Sequence, residues 1–157
     1  MKRMLTMIGM IMIATTAPMI STVAEAHVSI TPSQSTQGAT EKYVVRVPTE
    51  GAVATVAAEV DIPAGVVVET VSMPAGWKYE LKRDADKRIV GIVFTMIIPP
   101  GEFMEFAFVA RNPRDKTELV WGLRQRHSDG TVVDFTKLPN GNVRPTALTK
   151  LAPRPGQ

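Results

Sequence analysis

Cysteine is absent from the 157 residues. That excludes disulfides, zinc-finger and iron–sulfur ligation, a thiol nucleophile and a thiolate copper site. Aromatic residues make up only 6% of the chain, too few to furnish a broad flat aromatic face. Neither sign of charge dominates: 18 basic side chains stand against 15 acidic ones, for a net charge of +3. No block of like charges occurs, so the sequence carries no nucleic-acid footprint. Histidine occurs twice, as His27 and His127. Long uncharged apolar runs are missing after residue 26, and no membrane-spanning helix is expected there. With 45% hydrophobic and 21% charged residues, what remains is the composition of one folded domain rather than a disordered chain.

Residues 1–26 read as a secretory signal peptide. Lys2 and Arg3 supply the positive start, and Met4 to Ile20 carry no charge. Ala24-Glu25-Ala26 offers a small-residue cleavage motif. Six of the nine methionines fall in this segment, leaving only Met73, Met96 and Met104, too scattered for a methionine-rich metal site. Cleavage after Ala26 places the remainder in the periplasm or outside the cell, and makes His27 the first residue.

The remainder reads as all-β. Apolar and β-branched runs near 27–31, 40–48, 53–62, 66–72, 76–83, 88–95, 103–111, 117–127 and 131–136 are separated by Pro, Gly and Asn turn residues. Many short strands at regular spacing predict a two-layer antiparallel sandwich of immunoglobulin or fibronectin type. In 117–127, Leu119, Trp121 and Leu123 alternate with Glu118, Arg124 and Arg126. The same period puts Gln125 and His127 on the Trp121 side. In 103–111, Met104, Phe106 and Phe108 form the expected core face. Asp129-Gly130 predicts the turn between the last two strands. The domain is expected over 27–138. Residues 139–157, with four prolines and little periodicity, are expected as a flexible tail.

A histidine in first position offers a metal two nitrogens from one residue. Its α-amine and imidazole Nδ1 close a chelate ring, half of a histidine brace. Such nitrogens in tetragonal geometry favour Cu(II). Protons compete for both, with reference pKa values of about 7.7–8.0 and about 6.5. Further ligands are sought among His127, beside the Asp129-Gly130 turn, and the carboxylates Glu50 and Glu41 at the two ends of the 40–48 strand.

Several strings together resemble one family. They are His27-Val28-Ser29-Ile30-Thr31-Pro32, Gln37 to Tyr43, Val45-Arg46-Val47-Pro48-Thr49-Glu50, Met73-Pro74-Ala75-Gly76-Trp77, Ile98 to Phe103, and Ser128-Asp129-Gly130. Over about residues 27–137 the chain is similar to the YcnI-like family of secreted bacterial copper-binding proteins, a domain of unknown function. The resemblance implies an immunoglobulin- or fibronectin-like sandwich and a Cu(II) site of mono-histidine-brace type, with a terminal histidine, a glutamate and a nearby tryptophan. It also implies a role in copper handling beside copper transporters or chaperones. His27 matches the histidine, and Glu50 matches the glutamate, with Glu41 second. Phe135 stands where the tryptophan is expected, so the ring beside the metal lacks an indole N–H. His127 stands where tyrosine is common before the Ser-Asp-Gly turn, which offers a second nitrogen ligand.

Three readings follow. The first is a periplasmic or secreted copper-binding or chaperone protein, not an enzyme. The second is a copper-dependent oxidative enzyme whose brace is completed by His127. The third is a metal-free sandwich module for protein contact.

Overall fold

The computed structural model describes residues 27–156, so the expected signal segment 1–26 and its cleavage motif lie outside the described residues, as does Gln157. The strands that build the main layers are β1 (Ser29–Thr31), β3 (Thr40–Pro48), β4 (Thr55–Asp61), β5 (Val67–Val71), β6 (Lys78–Arg83), β7 (Ile89–Ile98), β8 (Phe103–Arg111), β10 (Gly122–His127) and β11 (Val132–Asp134). Three further short strands are β2 (Gln34–Thr36), β9 (Glu118–Val120) and β12 (Leu148–Ala152), the last preceded by a 3₁₀ turn at Pro145–Ala147. One sheet has the order β1-β3-β8-β5 and the other β11-β10-β4-β7-β6. Every pairing within these two sheets is antiparallel. A small third sheet, β2-β12-β9, closes one end, and its β12–β2 pair is parallel. Among the described residues no helix is long and apolar enough to cross a membrane.

The sandwich forms because the alternating apolar faces have only each other to bury against. Tyr43, Val45 and Val47 of β3, Phe106 and Phe108 of β8, Ile92 and Phe94 of β7, Val60 of β4 and Leu123 of β10 are almost fully inaccessible. Two aromatic groups fill the centre. Phe94 and Phe106 meet across the layers at 3.5 Å between ring centroids, with Trp77 packed edge-on against both. Tyr43, Phe108 and Trp121 form the second group. The expected core residues Leu119, Trp121, Leu123, Phe106 and Phe108 are all buried.

The 117–127 run keeps its alternation but is two strands rather than one. β9 pairs with β12 and β10 pairs with β4, so the chain passes from the end sheet into the main layer at Trp121. Gly122 permits the transfer: a Cβ there would come within 2.4 Å of the Asp61 carboxylate. Without one, Asp61 reaches Arg124, whose guanidinium also holds Glu59. Burial opposes the Glu59 charge, but hydrogen bonds from Arg124 and Lys82 outweigh it and hold this carboxyl below its usual range. The Asp129-Gly130 turn occurs as expected, with Gly130 at φ 88°.

The expectation of a flexible tail over 139–157 is corrected. Ala147, Thr149 and Leu151 are buried, and β12 pairs with two strands. Thr149 Oγ1 accepts from the Trp121 indole N–H at 3.1 Å and donates to the Pro32 carbonyl at 2.8 Å. The buried indole needs an acceptor, and the C-terminal segment supplies it. The domain therefore runs past 138 to at least Ala152.

Candidate metal centre

β1 pairs with β3 so that Ser29 faces Arg46 and Thr31 faces Val44. Continued by two residues, this register sets His27 level with Pro48, the last residue of β3. Val28 and Ile30 are buried and anchor the segment. His27 itself is half-buried, and its ring lies 5.5 Å from that of Phe135 at an interplanar angle of 42°. Phe135 follows β11, and its N–H donates to the Leu123 carbonyl at 2.7 Å. The Arg144 guanidinium lies 5.9 Å from the Phe135 ring. The expected neighbourhood of His27 and Phe135 is thus present.

Glu50 is exposed, two residues beyond Pro48, in the connection from β3 to β4. The far end of that connection is Thr55, whose partner in the neighbouring strand is His127. One short loop therefore links the strand beside His27 to the strand beside His127, and Glu50 rides on it. The His127 N–H donates to the Thr131 carbonyl, and its own carbonyl accepts from Gly130. Its Nδ1 is buried without a hydrogen-bond partner. Close by, Asp129 accepts from the Thr131 N–H at 2.9 Å. That bond, with the Thr131 hydroxyl next and the His127 charge a smaller influence, holds the Asp129 carboxyl below its usual range.

Glu41 does not belong with these residues. It sits at the opposite end of β3, paired with Ala110. Seven residues of strand at about 3.3 Å each put it roughly 23 Å from Pro48. Its carboxylate accepts from the Ser35 hydroxyl at 2.7 Å. The expectation that Glu41 shares a site with His27 is corrected on this register. Nor is the full set of His27, Glu50, Glu41 and His127 assembled. Among the described residues, no group of three or more His, Cys, Asp or Glu side chains is placed to hold a metal. Of the expected ligands, those toward the His27 end are His27, Glu50 and His127.

Sequence reasoning passed over the buried polar residues at this end. Thr49, Thr55 and Gln125 are each at most 2% exposed. Gln125 Nε2 donates to the Pro48 carbonyl at 2.7 Å and to the Thr55 hydroxyl. The Thr55 and Thr49 hydroxyls are bonded at 2.6 Å, and Thr49 Oγ1 donates to the Ile98 carbonyl. The available signal was a polar side chain, Gln125, on the face that carries Trp121 and Leu123.

The family described as "Domain of unknown function (DUF1775)" matches residues 27–154. A curated relative, "Copper-binding protein CutI" of Bacillus subtilis (strain 168), is 33% identical over 116 residues, which is 72% of this chain and 56% of the relative. The chain thus spans little more than half the length of that protein. A solved structure, an uncharacterized protein from Nocardia farcinica described as having an immunoglobulin-like fold, aligns with a TM-score of 0.68 at 26% identity. The alignment covers 80% of this chain and 98% of that one.

Proposed function

The chain belongs to the DUF1775 family, and from that premise we propose that it binds copper outside the cytoplasm, through His27 and Glu50, once residues 1–26 have been removed. The relative named as a copper-binding protein supports the metal. The observation that carries the site is the β1–β3 register, which brings His27 to the end of the strand from which Glu50 departs.

The donor set suits the ion. In the processed protein His27 contributes its α-amine and imidazole Nδ1, and Glu50 contributes a carboxylate. Nitrogen and oxygen donors without thiolate favour Cu(II). Val28 and Ile30 hold the backbone behind the amine, while Phe135 restricts the ring and covers one side. Glu50 is exposed, so the site opens to solvent and can pass its ion to a transporter or chaperone. An open site of this kind suits a carrier, whereas an oxidative centre would need His127 to complete the brace; turnover of the copper-loaded protein with a reductant would decide for the enzyme.

The test compares protein beginning at His27 with protein carrying one alanine before it. Cu(II) affinity of each is measured by chelator competition at pH 7. The extension turns the amine into an amide and removes the chelate ring. The expected loss exceeds the roughly 10–100-fold typical of changes one shell further out. Glu50→Gln lowers affinity by a smaller factor. Affinity of the processed protein falls with falling pH, because protons compete with copper for its nitrogen ligands. Equal affinity of the extended and processed proteins overturns the reading.

A further inference from the structure

The buried network beneath the candidate centre has only one consistent arrangement of protons. Thr49 donates to the Ile98 carbonyl, so its single hydroxyl proton is committed and Thr55 must donate to Thr49. The Thr55 proton is then also spent, and Thr55 can only accept from position 125. The Pro48 carbonyl can likewise only accept. Both partners of Gln125 thus demand donors, which fixes the amide with its NH₂ toward Pro48 and Thr55. No other uncharged side chain of that length presents two donors from one atom.

The elements this network joins are those that carry the candidate ligands. Pro48 is the residue level with His27, and the loop bearing Glu50 runs from Thr49 to Thr55, both of them members. Gln125 belongs to the opposite sheet, two residues before His127 on the same strand. Both roots of the Glu50 loop, and the strand end beside His27, are therefore tied to one buried amide. Thr49 is further fixed through its backbone, its N–H donating to Glu102 and its carbonyl accepting from Gly101, each at 2.8 Å.

We propose that Gln125 is the positioning residue of the copper site: through Pro48 and Thr55 it sets the separation between the His27 end and Glu50. The proposal rests on the copper-binding reading above. Gln125 touches no metal in this scheme and acts on the ligands' backbone.

The experiment uses protein expressed from the full chain, with His27 confirmed as its first residue by mass spectrometry. Cu(II) affinity and the Cu(II) EPR spectrum are recorded for the parent, for Gln125→Met, which keeps the length and removes the donors, and for Asn112→Ala. Asn112 anchors the buried network at the other end of β3, so its loss lowers Tm without touching the centre. The expected result is that Gln125→Met binds Cu(II) about 10–100-fold more weakly with altered hyperfine splitting, while Asn112→Ala keeps the parent's affinity and spectrum. If Met at position 125 prevents folding, Gln125→Asn, which withdraws the donors by one methylene, replaces it with the same expectation. A parent-like spectrum and affinity in the position-125 variant overturns the proposal, as does an equal change in Asn112→Ala. A parent that takes up no copper overturns the reading beneath it, and this one with it.

Discussion

The two ends of β3 are both closed by buried hydrogen-bond networks, and they are built for different loads. At the Pro48 end, a neutral amide and two hydroxyls run into backbone carbonyls, and no charged group takes part. At the Thr40 end, the fully buried Tyr43 hydroxyl donates to Asn112 Oδ1 at 2.7 Å, and the Asn112 amide donates to Ser35 and to the Thr36 carbonyl. Ser35 in turn donates to the Glu41 carboxylate. That chain ends in an anion because its last donor needs a strong acceptor. Its carboxylate is committed to holding β2 against β3. The Pro48 end leaves its carboxylate, Glu50, outside the network and exposed. The comparison separates two glutamates that look equivalent on one strand: one is spent on structure, and the other is available to a ligand.

The strongest way to break this contrast is to remove what seals the Thr40 end. Deleting residues 147–157 takes away buried Ala147, Thr149 and Leu151 and orphans the Trp121 indole. Losing a buried leucine costs about 2–5 kcal/mol and an unmet buried donor about 1–3 kcal/mol. The sum is comparable with the roughly 5–15 kcal/mol that holds a domain together. Thermal melts followed by circular dichroism are expected to lose their cooperative transition. A shift of only a few degrees would return the segment to the status of a tail.

A smaller effect tests the charge asymmetry. Burial pushes the Tyr43 hydroxyl up from 10.0 to about 12, with the nearby Glu41 charge adding to the rise and the Asn112 bond opposing it. The folded state therefore retains a proton that the unfolded state releases. Stability from this group is complete below pH about 10 and is lost as pH rises toward about 12, by on the order of 2 kcal/mol. Urea unfolding across that range is expected to show the decline, and Tyr43→Phe to flatten it.

The smallest effect is the most discriminating. Glu41→Gln keeps an acceptor for Ser35 and is expected to cost less than about 1 kcal/mol, with Cu(II) affinity unchanged. If it weakens copper binding as much as Glu50→Gln, the two ends share a ligand and the contrast collapses.

Most main-layer strands were legible because each buries one face, so a period of two survives in the sequence. β3 and β8 occur at the predicted limits. β2 and β12 were not legible. Each is too short for a period to declare itself, and β12 lies among prolines that read as breakers: Pro145 opens the 3₁₀ turn before it, and Pro153 follows its last residue. The split at Trp121 was invisible for another reason: alternation continues unbroken while the hydrogen-bonding partner changes. At the candidate site, His27 was legible from its place after the cleavage motif and Phe135 came from the family resemblance, and their contact follows from the fold. Glu41 was misjudged because nearness in sequence along an extended strand is distance in space. Gln125 was visible as a polar residue on an apolar face, but only its two acceptors reveal what it holds.

The parallel pairing of β2 with β12 ties residues 34–36 to residues 150–152, near the beginning and the end of the described chain. This gives the fold a closing order. A chain emerging from its N-terminus can lay down both main layers, yet it carries an open slot between β2 and β9 until its last strand is available. Through that interval the Trp121 indole waits for Thr149. Contacts separated by so much sequence carry the largest loop-closure cost and are slow to form. Completion of the domain is thereby deferred to its final dozen residues, so a chain that stops short of them is an unfinished object rather than a slightly shorter one.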